Sequence, residues 1–292
     1  MSTFKKSLFQ LHLFVFLAGL TGPLGNLIQL NGLNLVLYRM LITSMVLLVI
    51  YFFTKNKPTI NTSSKWKLIG VGIIIAIHWV LFYTSIKLSN VSIGLVCLSS
   101  VGVFTVLMDP FFTKRQIQWK ELFISFISLM GILCIFQFDT KYRLGISVGL
   151  LSSLMVALFT QLNKRLTANI APQTIQTFQM IGGFSFLALL VFIISFFTHT
   201  NIPLPTYSDW GWLLILAIAC TVWSNFLMLS SLKYVSPFTM NVTLNLEPVY
   251  GILISFVVFQ EHKQLGFSFY IGFLLIAVSV LIQMFRVLRT PK

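Results

Sequence analysis

The carboxyl group best placed for chemistry in this sequence belongs to Glu247. The chain has six acidic residues, and only this one lies deep inside an apolar run. An ionised carboxylate near a bilayer centre costs roughly 2.5–3.5 kcal/mol, so acids at such positions tend to be functional. Glu247 is predicted to bind and release protons as a coupling group or to contact a cationic substrate group. The alternative is structural, with the carboxylate satisfied by neighbouring helices or by Arg39.

Two basic side chains, Arg39 and His78, also fall inside apolar runs. An arginine stays charged and can clamp a carboxylate or phosphate through two parallel hydrogen bonds. Its alternatives are pairing with Glu247 or extending to the membrane interface. His78 is a candidate proton relay to Glu247, although a single histidine on an apolar helix is more often a packing residue.

Asn241, Asn245 and Pro248 are spaced i, i+4 and i+7, which places them on one face of a helix. A proline inside a membrane helix removes a hydrogen bond, and bent helices at the midplane supply gates and polar contacts. This face is predicted to line a substrate cavity, with Pro248 as a gating bend. The alternative is hydrogen bonding between helices alone.

Three aromatic residues, Trp79, Tyr83 and Trp223, are candidate substrate contacts. Trp79 and Tyr83 are four residues apart and follow His78 along one helix. In a cavity these rings would stack on an aromatic or methylated substrate. Because 15% of the chain is aromatic, packing against lipid or the core is the alternative.

Motifs of enzymes are absent from the sequence, which has no HExxH, GxSxG, GxGxxG or P-loop. The four histidines are dispersed, and the three cysteines, Cys97, Cys134 and Cys220, lie in apolar runs without metal-ligand spacing. We therefore predict no catalytic residues, no metal site, no cofactor and no disulfide framework.

The composition predicts an all-α membrane protein. Hydrophobic residues make up 57% of the chain and charged residues only 9%, against roughly 25% charged in soluble domains. A spanning chain must satisfy its own backbone, which favours helices. Ten transmembrane helices are predicted, at residues 8–28, 33–53, 66–88, 91–112, 119–138, 144–163, 173–197, 209–231, 236–259 and 266–286.

Lysine and arginine residues alternate from gap to gap between these spans. Fifteen lie on one side, four on the other and Arg39 within a span. Basic loops stay in the cytoplasm, so both termini are predicted to be cytoplasmic, in a bacterial-type inner membrane. The net charge of +14 is thus a topology signal, and no nucleic-acid partner is expected.

The sequence contains an internal repeat. When it is aligned with itself at an offset of 146 residues, Lys87 aligns with Lys233. The shift also places spans three to five on spans eight to ten. Five spans per half reverse the second half in the membrane, so two inverted five-helix repeats are predicted, at residues 1–140 and 141–292.

The segment Leu246-Glu247-Pro248-Val249-Tyr250-Gly251, followed by Phe259-Gln260-Glu261, resembles the "LEPV…GE" pattern of the EamA family in the drug/metabolite transporter superfamily. Gln260 replaces the usual glycine, and the first half has Lys114-Arg115 where Gly-Glu is common. The resemblance implies a secondary carrier without an ATPase domain, in which spans five and ten are peripheral.

The predicted function is alternating-access transport of a small metabolite, an amino acid or related compound, in the direction of export. Import of a nucleotide-like or methylated metabolite is one alternative, and a membrane-embedded enzyme or lipid-handling protein is another. The expected partners are a small-molecule substrate, the lipid bilayer and protons as a candidate coupling ion. Either a monomer or a homodimer is expected.

Overall fold

The computed structural model describes residues 3–54, 60–113, 116, 119–138, 140–244 and 246–289, and every regular element within them is a helix. The α-helices are α1 (Thr3–Gly19), α2 (Thr21–Leu27), α3 (Gly32–Phe53), α4 (Thr62–Leu88), α5 (Val91–Leu98), α6 (Val101–Thr113), α7 (Trp119–Phe138), α8 (Arg143–Leu166), α9 (Pro172–Thr198), α10 (Tyr207–Ala217), α11 (Ser224–Leu232), α12 (Pro237–Leu244), α13 (Leu246–Val258) and α14 (Phe267–Arg289). A π-helical segment, Ile218–Trp223, joins α10 to α11, and short 3-10 helices cover Thr140–Tyr142 and Glu261–Lys263.

Seven helical segments of the described chain are long and apolar enough to cross a membrane. They correspond to predicted spans one to four and six to eight. The fifth predicted span coincides with α7, and the ninth and tenth include two shorter apolar stretches, Leu246–Val258 and Phe267–Ser279. The all-helical class is therefore confirmed, while ten crossings and cytoplasmic termini remain predictions.

The fourth predicted span is broken into α5 and α6 at Ser99 and Ser100. A break inside a bilayer frees backbone carbonyls that no water can satisfy. Here the Cys97 carbonyl accepts hydrogen bonds from the hydroxyls of Ser100 and Ser153, both at 2.8 Å. Serine side chains thus replace the missing helical donors.

Pro248 is a buried residue of α13, close to Leu246, where the description of that segment begins. Asn245, which separates Leu244 of α12 from Leu246 of α13, lies outside the described residues. The gating bend at Pro248 therefore stays a prediction.

Helices α7 and α14 pack chiefly against each other at one side of the bundle. Gly131 and Gly272 allow their backbones to approach closely. The Ser128 hydroxyl donates to Ser279, whose own hydroxyl donates to the Ile124 carbonyl, at 2.8 and 2.7 Å. This pair, formed by the fifth and tenth predicted spans, leaves the remaining helices to form the centre.

Contacts among the central helices correspond between the two halves of the chain. The packing of α4 on α8 has its counterpart in α1 on α11, and that of α4 on α9 in α3 on α10. Helices α3 and α9, which occupy equivalent places in the two halves, pack on each other, as do α5 and α13. Each of these contacts of a helix in one half therefore has an equivalent contact made by the corresponding helix of the other half.

Two glycines on α4 provide a matched test of this packing. A Cβ at Gly72 would lie 2.0 Å from the Gln179 carbonyl oxygen of α9, whereas no atom lies within 4 Å of one at Gly70. Gly72→Ala should destabilise the fold by about 1–3 kcal/mol through overpacking and lower the thermal unfolding midpoint in detergent. Gly70→Ala should leave the midpoint unchanged or raise it, because alanine favours helix. Equal midpoints for the two variants would contradict the close α4–α9 contact.

Candidate functional site

A cavity of about 80 Å³ lies among helices of predicted spans one to four, six, eight and nine. One buried water needs roughly 10–15 Å³ of such space, so the cavity has room for several waters or a small ligand group. None of its described lining residues comes from α7, α9 or α14. Its polar lining residues are Thr21, Arg39, His78, Ser224, Asn225 and Glu247, and its aromatic ones are Phe14, Trp79, Phe82 and Phe159.

Arg39 of α3 is the fixed cation of the cavity and is only 2% exposed. Its Nε donates to the Thr221 hydroxyl at 2.8 Å and one terminal nitrogen to the Tyr83 hydroxyl at 2.8 Å. The other terminal nitrogen donates to the Cys220 carbonyl at 3.3 Å. The guanidinium carbon lies 3.8 Å from the centre of the Trp79 ring. Three of the five N–H donors of an arginine are used, which leaves two without a partner among the described residues.

The π-helical segment explains how Arg39 finds backbone acceptors inside a membrane helix. The wider turn breaks the regular α-helical ladder, and the Thr221 hydroxyl donates to the Leu216 carbonyl at 2.7 Å. The Gln176 amide donates to the carbonyls of Thr221 and Val222, both at 3.0 Å. Such bulges are frequent at functional sites. Here the bulge makes the Cys220 carbonyl available to Arg39.

The ring of His78 is oriented by Ser152 of α8. Its Nδ1 lies 2.7 Å from the Ser152 hydroxyl oxygen and 3.1 Å from the Ser152 carbonyl oxygen. The Ser152 hydroxyl donates to the His78 carbonyl at 3.1 Å, so both oxygens near Nδ1 act as acceptors. Nδ1 must therefore carry a hydrogen. In the neutral ring this leaves Nε2 as an acceptor, and the side chain lines the cavity.

Glu247 lies in the first turn of α13, lines the cavity and is 7% exposed. Among the described residues no side chain or backbone group donates a hydrogen bond to its carboxyl group. The charge of Arg39, which lines the same cavity, attracts a negative group. No ion pair joins Glu247 to Arg39 in the described part of the chain, so the pairing considered from the sequence is not observed.

The other candidate residues divide by position. Trp79 lines the cavity, while Tyr83 is fully buried behind it and orients Arg39. Trp223 is 52% exposed and does not line the cavity, because the wider π-helical turn rotates it away from the face of Cys220 and Ser224. Asn245 lies outside the described residues, and of Asn241 only the backbone, within α12, is described.

Sequence reasoning did not single out several lining residues. Asn225 and Ser224 of α11 line the cavity, and no described residue bonds the Asn225 amide. An amide inside an apolar run was a signal of the same kind that identified Asn241. The rings of Phe14, Phe82 and Phe159 gave no signal, because the chain contains 29 phenylalanines.

Long apolar helices packed around a small cavity with polar lining residues are typical of multi-pass membrane proteins that bind small molecules. The chain belongs to the EamA-like transporter family, whose model matches residues 5–137 and again 143–285. It is 25% identical over 238 residues to the uncharacterized transporter YetK of Bacillus subtilis, covering 76% of this chain and 70% of that protein. It is also 22% identical over 246 residues to the uncharacterized transporter sll1164 of Synechocystis sp., covering 79% and 69%.

One solved crystal structure resembles the whole chain. The TM-score is 0.67 at 14% sequence identity, over 98% of this chain and 99% of the other. At that identity the likeness concerns the fold alone. It extends across both halves of the chain, including the pair formed by α7 and α14.

Proposed function

We propose that the protein is a secondary transporter that exports an amino acid or a related zwitterionic metabolite across the inner membrane. The observation that carries this proposal is the combination inside one cavity of Arg39, which has two N–H donors to spare, and Glu247, whose carboxyl has no described partner. A zwitterion supplies a carboxylate for the first and an ammonium group for the second. Charge-assisted hydrogen bonds of this kind are stronger than neutral ones.

The apolar part of the cavity indicates which zwitterions fit. Phe14, Phe82 and Phe159 form a wall beside the charged groups, so an apolar or aromatic side chain would be buried there. A nucleotide-like substrate is disfavoured, because the carboxylate of Glu247 in the same cavity would repel its phosphate groups. A quaternary ammonium group is disfavoured because the Trp79 face that would receive it is covered by Arg39.

Alternating access is proposed from the repeat. Two five-helix halves, residues 1–140 and 141–292, would lie inverted in the membrane with both termini in the cytoplasm. The two separate matches of the family model and the exchangeable helix contacts support this division. In such carriers one repeat rocks against the other around a fixed site.

Hydrogen bonds between the two halves lie towards both ends of the bundle. Towards one end, Asp209 accepts from the Gln29 backbone at 2.8 Å, and Glu261 accepts from the Val91 and Ser92 backbones at 3.0 and 2.9 Å. Towards the other, the Ser231 hydroxyl donates to the Ser7 carbonyl at 3.0 Å. We propose that these two sets break in turn as the cavity opens to each side.

Counterflow in proteoliposomes tests the proposal. Vesicles preloaded with unlabelled amino acid should accumulate the same labelled amino acid faster than protein-free vesicles, with apolar and aromatic amino acids the best substrates. Trp223→Ala, outside the cavity, should transport like the wild type. Equal rates with and without protein for every amino acid tested would reject the proposed substrate class.

Protons are the proposed coupling ion, because Glu247 and the Nε2 acceptor of His78 line the same cavity. An imposed pH gradient should then drive net amino-acid movement in the same vesicles. Net flux that is indifferent to the gradient, with counterflow intact, would reject coupling and leave a facilitative carrier. Membership of a transporter family favours either carrier over a membrane-embedded enzyme.

A further inference from the structure

A second recess lies between the beginning of α4 and the end of α8, separate from the central cavity. It is a groove of about 590 Å³ that shares no lining residue with that cavity. Its rim includes Lys67, Arg165 and Asn169, and its floor includes Val71, Ile74 and Leu162. The groove therefore joins a polar, basic rim to an apolar floor.

The rim is chemically suited to an anion. Among the described residues, none that lines the groove is acidic, and Lys67 has no hydrogen bond or ion pair. Arg165 is held in place, because it donates to the Phe112 carbonyl and its guanidinium carbon lies 5.0 Å from the centre of the Phe112 ring. An arginine fixed in this way keeps further N–H donors for a phosphate group.

The floor is suited to a hydrocarbon chain. Gly70 also lines the groove, and a Cβ built on it would meet no described atom of another helix within 4 Å. The two cations and the apolar side chains of Val71 and Ile74 therefore line one recess, with open space beside Gly70. A ligand that has an anionic head and an apolar tail would fill both parts.

The groove is also expected to lie at the depth of the lipid headgroups, where a ligand of this kind would be found. Trp66, next to Lys67, is 68% exposed, and exposed tryptophans are enriched at the headgroup level of bilayers. The distribution of basic residues assigns this end of the molecule to the cytoplasmic side, where anionic lipids give the surface a negative potential. We infer that the groove binds one anionic phospholipid, with its phosphate at Lys67 and Arg165 and an acyl chain along Val71, Ile74 and Leu162.

Native mass spectrometry of the detergent-solubilised protein tests this inference. Phosphatidylglycerol and phosphatidylcholine with identical acyl chains would be titrated separately against the wild type and Lys67→Gln/Arg165→Gln. The wild type should prefer phosphatidylglycerol by about thirtyfold, the ratio that corresponds to roughly 1 kcal/mol for each of two basic residues. The double variant should lose the preference. Lys67→Gln alone, which leaves the Arg165–Phe112 contact intact, should lose part of it.

The matched control is Lys6→Gln/Lys65→Gln, which removes two exposed charges predicted to lie on the same side but outside the groove. This control should keep the preference for phosphatidylglycerol. If it lost as much of that preference as the groove variant, only diffuse attraction between the basic surface and anionic lipid would act.

Competition with glycerol 3-phosphate distinguishes a lipid headgroup from a free phosphate compound as the ligand. Competition by it at micromolar concentration would identify a site for free phosphate compounds, whereas persistence of the bound lipid supports the lipid site. Equal binding of both lipids to the wild type would overturn the inference.

Discussion

Arg39→Lys is expected to lower the apparent affinity for amino acid by at least tenfold, although the positive charge is kept. The guanidinium is held by Thr221, Tyr83 and the Cys220 carbonyl while it stacks on Trp79. An ammonium group is a point charge with three donors and no planar fork, so it cannot make all of these contacts and still bind a carboxylate with two hydrogen bonds. Each charged hydrogen bond lost is worth about 1.5–3 kcal/mol, or roughly 10- to 150-fold.

The measurement for this variant is the concentration dependence of counterflow, read as KM. Thermal unfolding in detergent shows whether the fold survives, and Tyr83→Phe supplies an intermediate case because it removes one acceptor of Arg39 without touching the cavity lining. A well-folded Arg39→Lys protein with the wild-type KM would show that the guanidinium does not bind substrate.

Glu247→Gln is expected to remove the preference of the protein for an amino acid over the analogue that lacks the ammonium group. Glutamine has nearly the same shape, so the cavity is preserved while its carboxylate is lost. KM for an amino acid should rise by about tenfold to a hundredfold, the loss of one charged hydrogen bond. Binding of the deaminated analogue, which keeps the carboxylate and side chain, should be unchanged or improved. Competition of the two compounds for counterflow measures the ratio directly.

The control for this substitution is Glu121→Gln, which removes an acid at the start of α7, away from the cavity. It should leave the ratio between amino acid and analogue as in the wild type. If Glu247→Gln also left that ratio unchanged, Glu247 would not contact the ammonium group, and a structural role at the start of α13 would remain.

The sequence was most informative at positions where burying a side chain in the membrane costs free energy. Glu247, Arg39 and His78 could be singled out because charged and polar groups in apolar runs are costly and rare, and all three line the cavity. The long apolar runs were equally readable as helices. Abundant residue types carried no such information, so Trp223 could not be distinguished from Phe82 or Phe159 as a cavity residue.

Features that depend on helix packing were also beyond the sequence. The π-helical segment that turns Trp223 outward and exposes the Cys220 carbonyl includes no proline or glycine. The break at Ser99 and Ser100 likewise has neither residue, and it is satisfied from another helix by Ser153. The bend at Pro248 stays a prediction, because Asn245 near it lies outside the described residues.

The short helix α2 lies between the cavity and the hydrogen bonds that join the two halves at one end of the molecule. At its beginning, the Thr21 carbonyl accepts from the Tyr83 hydroxyl, which also holds Arg39. Just beyond its other end, the Ile28 carbonyl accepts from Lys87 at 2.6 Å and the Gln29 N–H donates to Asp209 at 2.8 Å. The seven residues of α2 span about 10 Å along the helix axis. In the proposed alternating-access cycle, a displacement of Arg39 towards a ligand would be passed through Tyr83 and α2 to the hydrogen bond between Gln29 and Asp209.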